Sequence, residues 1–195
     1  APDQTTWIGR RDHALLLVAV QTGLRVSEIT GLVWGDAHLG VGAHVRCRGK
    51  GRKHRATPLT AQTVDTLRVW LRESCGNPDD PLFPSRRGGP LSSDAVGWLT
   101  AKYAKAASDA GSSIASKHVT PHVLRHTAAM NLLQSGVDVS VIALWLGHEH
   151  IQTTQIYLHA DLALKERALA RTAPANTVAG RYRPGDALLA FLEAL

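Results

Sequence analysis

Between Asp36 and Leu59 the hydrophobic period of this chain drops from that of a helix to that of a strand, and after Thr60 it returns. On either side, apolar residues recur at every third or fourth position, as the buried face of a helix requires. Within the window they alternate. His44-Val45-Arg46-Cys47-Arg48 sends Val45 and Cys47 to one face and basic side chains to the other. Gly49-Lys50-Gly51 reads as a turn and residues 55–59 as the returning strand, with Pro58 suited to a strand end or edge. The expected fold is mainly α with a small antiparallel β-sheet, an α+β domain whose hairpin tip is basic.

Residues 11–22 form a dense apolar helix that Gly23 stops, and residues 27–33 suggest a second, short one. A third spans 60–73, with Val64, Leu67 and Leu71 on one face. A loop rich in proline and glycine covers 76–90, after which Ser92 or Ser93 caps a helix reaching about residue 110. Residues 111–117 read as a polar linker. Thr120 as N-cap and Pro121 at the first helical position open the next helix, which runs to Gln134 before Gly136. Asp138 or Ser140 starts a short helix carrying Val141, Ile142, Leu144 and Trp145, closed by Gly147; Trp145 is expected in the core. Helical stretches follow at 153–159 and 161–171. The expected division is a main domain over 1–175, then a linker and C-terminal amphipathic helix over 176–195 with a stripe of Leu188, Leu189, Leu192 and Leu195.

The length of 195 residues suffices for one domain with a sizeable core. With 44% hydrophobic and 19% charged residues, the composition argues against disorder. The longest apolar run, 14–20, is far short of the ~20 residues a membrane helix needs. No signal-peptide layout opens the chain, so no membrane partner and a cytoplasmic location are expected. Cys47 and Cys75 make no disulfide framework, and Cys47 is expected as a buried thiol. A net charge of +6 favours a polyanionic partner. Arg46, Arg48, Lys50, Arg52, Lys53, His54 and Arg55 crowd one short segment. Charge alone leaves two readings of it level: a phosphate-facing patch or a solvated hairpin.

Several scattered side chains suit phosphoryl transfer without a metal, which takes a nucleophile, positive charge around the phosphorus and an acid for the leaving oxygen. Arg25 and Arg125 supply guanidinium groups that can grip two phosphate oxygens at once. His122 and Arg125 stand three apart on one helix and share a face. His122 and His126 stand four apart, but a histidine pair without a third ligand is a poor zinc site, so no metal is expected. Leu146-Gly-His148 and Tyr157 follow; a tyrosine taken alone is more often packing than nucleophile.

The ordered set is more telling than its members. Arg25 in Thr-Gly-Leu-Arg-Val-Ser-Glu28, Lys50 in Gly-Lys-Gly, His122 and Arg125 in His-Val-Leu-Arg-His, His148 in Leu-Gly-His and Tyr157 in Thr-Thr-Gln-Ile-Tyr-Leu-His resemble the tyrosine recombinase, or phage integrase, family over about residues 11–172. That resemblance implies a tyrosine recombinase catalytic-domain-like, DNA breaking-rejoining fold. It implies that Arg25 and Arg125 clamp the scissile phosphate, Lys50 protonates the departing 5′-oxygen, His122 serves as acid or base, His148 holds a phosphate oxygen, and Tyr157 attacks to give a 3′-phosphotyrosine. Glu28 would orient Arg25 or cap the local structure. Arg46, Arg48, Arg52, Lys53 and Arg55 are the expected DNA-contacting residues. Double-stranded DNA is the implied partner, with a homo-tetramer on DNA that can be a monomer in solution, no cofactor and no metal. The family's additional N-terminal DNA-clamping domain has no counterpart here, which suggests an excised catalytic domain or a short member, and the leucine stripe suits equally docking on a neighbouring protomer or packing within its own chain. A type IB topoisomerase-like nicking-closing enzyme and a non-catalytic DNA-binding module are the competing functions.

Overall fold

The computed structural model describes residues 2–49, 54–74, 76–109 and 118–148, all within one compact unit. Helix α1 (Trp7–Thr22) starts earlier than the apolar run alone suggests. Thr6 caps it by accepting the Gly9 amide at 3.0 Å, and Trp7 packs its ring on Trp70 with centroids 5.3 Å apart. Gly23 ends it in the left-handed conformation, φ 64°, with its N–H bonded to Ala19 O. Helix α2 (Val26–Thr30) stops short of the expected residue 33. The backbone beyond it is drawn into pairing with the loop, through Trp34 N to Asp80 O and Leu82 N to Leu32 O.

A single three-stranded antiparallel sheet follows among the described residues, in the order β1 (Ala37–His38), β2 (His44–Arg48), β3 (His54–Pro58). Its register pairs Val45 with Thr57 and Cys47 with Arg55, and Arg46 with Ala56 and Arg48 with His54. Val45, Cys47 and Thr57 are buried; His54, Arg46 and Arg48 are exposed. The Cys47 thiol is free, and burial pushes its pKa up to about 11, so it is an inert core group.

Helices α3 (Ala61–Ser74), α4 (Ser93–Asp109), α5 (Pro121–Gln134) and α6 (Val139–Leu146) complete the described fold. Each begins or ends near its expected residue: Ser92 accepts the Ala95 amide ahead of α4, Thr120 accepts the Val123 amide, and Asp138 accepts the Ser140 amide. The core gathers Leu15, Val18, Leu24, Ile29, Leu32, Leu67, Trp70 and Val96. The proline-rich loop contributes Leu82 and Phe83 to it, held by the Trp70 indole N–H on Leu82 O at 2.8 Å. No helix among the described residues is long and apolar enough to cross a membrane.

Two later helices pack against the C-terminal end of α1. A Cβ built on Gly23 would lie 2.8 Å from Leu146 Cδ2 and 3.0 Å from Ala128 Cβ, so α5 and α6 close directly on this residue. Gly23→Ala therefore combines backbone strain with steric conflict. It should cost about 1–3 kcal/mol and lower the urea midpoint. Gly97→Ala, in open space on α4, should be neutral or gain up to about 1 kcal/mol.

Candidate active site

A helix C-terminus leaves backbone carbonyls without intrahelical partners. Helix α6 meets this need in two ways. Gly147 adopts the left-handed conformation, φ 65°, and the Gly147 and His148 amides turn back onto Leu144 O and Ala143 O. The next three carbonyls each accept from a different arginine: Trp145 O from Arg55 Nε at 3.1 Å, Leu146 O from Arg125 Nη2 at 2.7 Å, and Gly147 O from Arg25 Nη2 at 3.0 Å. The negative end of the helix dipole favours these cations further. One short run of backbone thus gathers side chains from β3, α5 and the start of α2.

Each guanidinium is also fixed from behind. Arg125, 8% exposed, donates Nη1 to Gly23 O at 2.6 Å and so ties the end of α1 to the end of α6. Glu28 holds the other two. Its Oε2 accepts the Arg25 backbone amide at 2.6 Å and its Oε1 accepts Arg25 Nη1 at 3.1 Å. Arg55 grips the same carboxylate in a fork, Nη1 to Oε1 at 2.6 Å and Nη2 to Oε2 at 2.8 Å. Burial pushes the Glu28 carboxyl upward, but hydrogen bonds from Arg55 and the Arg25 amide, with both positive charges, outweigh it and hold it below its usual range. Arg25 keeps 37% of its side chain exposed while anchored in this way.

His148 comes next in the chain. Burial first, then the charges of Arg125, Arg25 and Arg55, depress its pKa from 6.5 to about 4. The imidazole is neutral at pH 7 and sits in a positive field that an oxyanion would relieve. Arg25, Arg125 and His148 are therefore brought together around the end of α6. His122 lies one turn before Arg125 on α5, exposed to solvent. Lys50 and Tyr157 lie outside the described residues, as do Arg52 and Lys53. Arg46 and Arg48 are exposed on β2, Arg46 with its Nε 3.6 Å from Asp36 Oδ1.

Two expectations need correction. Arg55, expected among the DNA-contacting residues of the basic segment, points inward. The register sets it opposite buried Cys47, and only 14% of its side chain is exposed. Trp145, expected in the core beside Leu144 and Leu146, is half-buried, with its indole N–H on Thr22 O at 3.0 Å, while Leu144 is 76% exposed. Glu28, expected either to orient Arg25 or to cap the local structure, does both. Among the described residues no group of three or more His, Cys, Asp or Glu is placed to hold a metal.

Residues 3–163 match the model of the phage integrase family. A protein of Sinorhizobium fredii named as an integrase/recombinase, y4rC, is 57% identical over this whole chain, which covers 59% of that protein. Tyrosine recombinase XerC of Xylella fastidiosa is 42% identical over 156 residues, 80% of this chain and 51% of the relative. The chain therefore spans between about half and three fifths of the length of these relatives. Among solved structures, the XerA recombinase superposes with a TM-score of 0.70 at 31% identity, covering 86% of this chain and 58% of that one. The XerH site-specific recombinase in a post-cleavage complex with palindromic difH substrate gives 0.71 at 28%, covering 85% and 46%. The fold is the α+β fold of tyrosine recombinase catalytic domains, and the chain belongs to the phage integrase family.

The state of His148 is directly measurable. An unfolded chain takes up this proton near pH 6.5 and the folded one only near 4, so in that window the unfolded state binds more protons. Its contribution to stability is full above pH 6.5 and is lost as pH falls toward 4. His148→Asn should flatten the decline of urea stability between those pH values, and the wild-type ring should titrate near 4 by NMR. A ring titrating near 6.5 contradicts the geometry.

Proposed function

We propose that this chain is the DNA-cleaving part of a site-specific recombinase that works through a 3′-phosphotyrosine intermediate, without metal or ATP. The observation that carries the reading is the convergence of Arg25, Arg125 and His148 on the end of α6. Two guanidinium groups and a neutral imidazole suit the non-bridging oxygens of one phosphodiester, whose negative charge grows as a fifth oxygen approaches phosphorus. The donors are fixed before the substrate arrives, so little reorganisation accompanies the reaction.

In this scheme the Tyr157 phenolic oxygen attacks phosphorus, and the bond to the 5′-oxygen breaks. The phenolic proton passes to a base, with His122 placed by sequence for proton exchange on the Arg125 face. Lys50 protonates the departing 5′-oxygen, and His148 donates its ring N–H to a phosphate oxygen. The phosphotyrosine ester retains the energy of the diester it replaces, so attack by a 5′-hydroxyl reverses the step. Arg46, Arg48, Arg52 and Lys53 would meet the duplex backbone and make binding salt-sensitive. Double-stranded DNA is the partner, and a homo-tetramer on DNA exchanges the strands. The apolar stripe of Leu188, Leu189, Leu192 and Leu195 would dock on a neighbouring protomer.

Incubating the chain in EDTA with a pool of duplexes nicked beside varied positions should give a protein–DNA adduct on a denaturing gel. Tyr157→Phe should abolish it, and Arg25→Gln should slow its formation by roughly 100-fold or more, the scale of losing one transition-state donor. An adduct that persists in Tyr157→Phe, or that requires a divalent cation, overturns the mechanism.

A further inference from the structure

Arg55 stands closer to the machinery than its place in a basic hairpin suggests. Its three side-chain hydrogen bonds leave the strand on which it sits and go to the two elements that present Arg25 and His148: a fork on Glu28 and an Nε–H on Trp145 O. Glu28 would by itself neutralise Arg25, since both the Arg25 amide and its guanidinium rest on that carboxylate. With Arg55 on the same carboxylate, the three side chains sum to one positive charge. Arg25 then meets a phosphate with its charge uncancelled.

The residue before His148 makes room for this arrangement. A Cβ on Gly147 would lie 2.6 Å from Arg55 Nη1 and 3.0 Å from its Cζ, so the guanidinium passes across the face of a residue that has no side chain. Arg55 also sits on β3, five residues after Lys50 in sequence and opposite Cys47 on β2. Strand β3 is thereby fastened to the Arg25 and His148 elements through one side chain.

Resting on the phosphoryl-transfer reading above, we propose that Arg55 is a positioning residue of this site: it offsets Glu28, aims Arg25, and fastens strand β3 to the backbone that presents His148. It acts through these groups and does not itself hold the phosphate, because its side chain is largely buried and all three of its nitrogens are engaged. Lysine at this position would keep the charge but make neither the fork nor the third bond.

Arg55→Gln and Arg55→Lys separate charge from geometry, and both are read on the full chain by NMR of His148 with inorganic phosphate as the probe. In Arg55→Gln the His148 titration should move upward from about 4, and phosphate should bind at least about tenfold more weakly. In Arg55→Lys the His148 titration should stay near the wild-type value. Adduct formation on nicked duplexes should nevertheless fall by about 100-fold in Arg55→Lys, the scale of a misplacement of about 1 Å. A merely structural salt bridge would move stability alone. Unchanged phosphate affinity and an unchanged His148 titration in folded Arg55→Gln overturn the proposal; if that variant does not fold, wild-type adduct rates in Arg55→Lys overturn it instead. Wild-type protein whose His148 signal ignores phosphate would instead refute the phosphoryl-transfer reading itself.

Discussion

Three consecutive carbonyls at the end of α6, those of Trp145, Leu146 and Gly147, bring Arg55, Arg125 and Arg25 together. They need donors, and the sequence supplies three arginines from distant positions to reach them. Arginine suits the task because its planar fork can bond a carbonyl on one side and keep other N–H groups for a second partner. Arg125 divides itself between Leu146 O and Gly23 O, and Arg25 between Gly147 O and Glu28. The same contacts that complete a helix end therefore also fix the positions of charges.

Burying this much charge is unfavourable unless it is thoroughly paired, and removing one partner of such a pair typically costs about 3–5 kcal/mol. Glu28 is the counterweight. Four donors reach its two oxygens, and it remains ionised in spite of burial. One carboxylate against three guanidinium groups still leaves the region positive, and this charge adds to burial, the larger cause, in holding the His148 pKa down at about 4. A site with this residual field has an incomplete charge balance that a bound oxyanion would restore.

Much of the framework was legible in the sequence because it is set by local chemistry. Thr120-Pro121 opens α5, Asp138 and Gly147 bound α6, and alternation around Val45 and Cys47 gives β2. What was not legible depends on partners far along the chain. Helix α1 extends back to Trp7 because Trp70 receives its ring, and α2 stops at Thr30 because residues near Asp80 and Leu82 take up the backbone. The site divides in the same way. Arg25, Arg125 and His148 stand out from their motifs, whereas the inward direction of Arg55 follows from cross-strand register, which the basic run around it obscures. Gly147 reads as a helix stop, and nothing in its neighbours tells that it also clears a path for Arg55.

That Arg25, Arg125 and His148 serve a single oxyanion has a thermodynamic signature: phosphate should bring a proton with it. Calorimetric titration of inorganic phosphate into the chain at pH 5.5, in two buffers of different ionisation enthalpy, reads that proton. Wild type should take up protons on binding in excess of those the phosphate itself exchanges, and His148→Asn should abolish the excess. Binding with no excess uptake in wild type, or an excess that survives the substitution, would place the anion away from His148 and contradict the shared site.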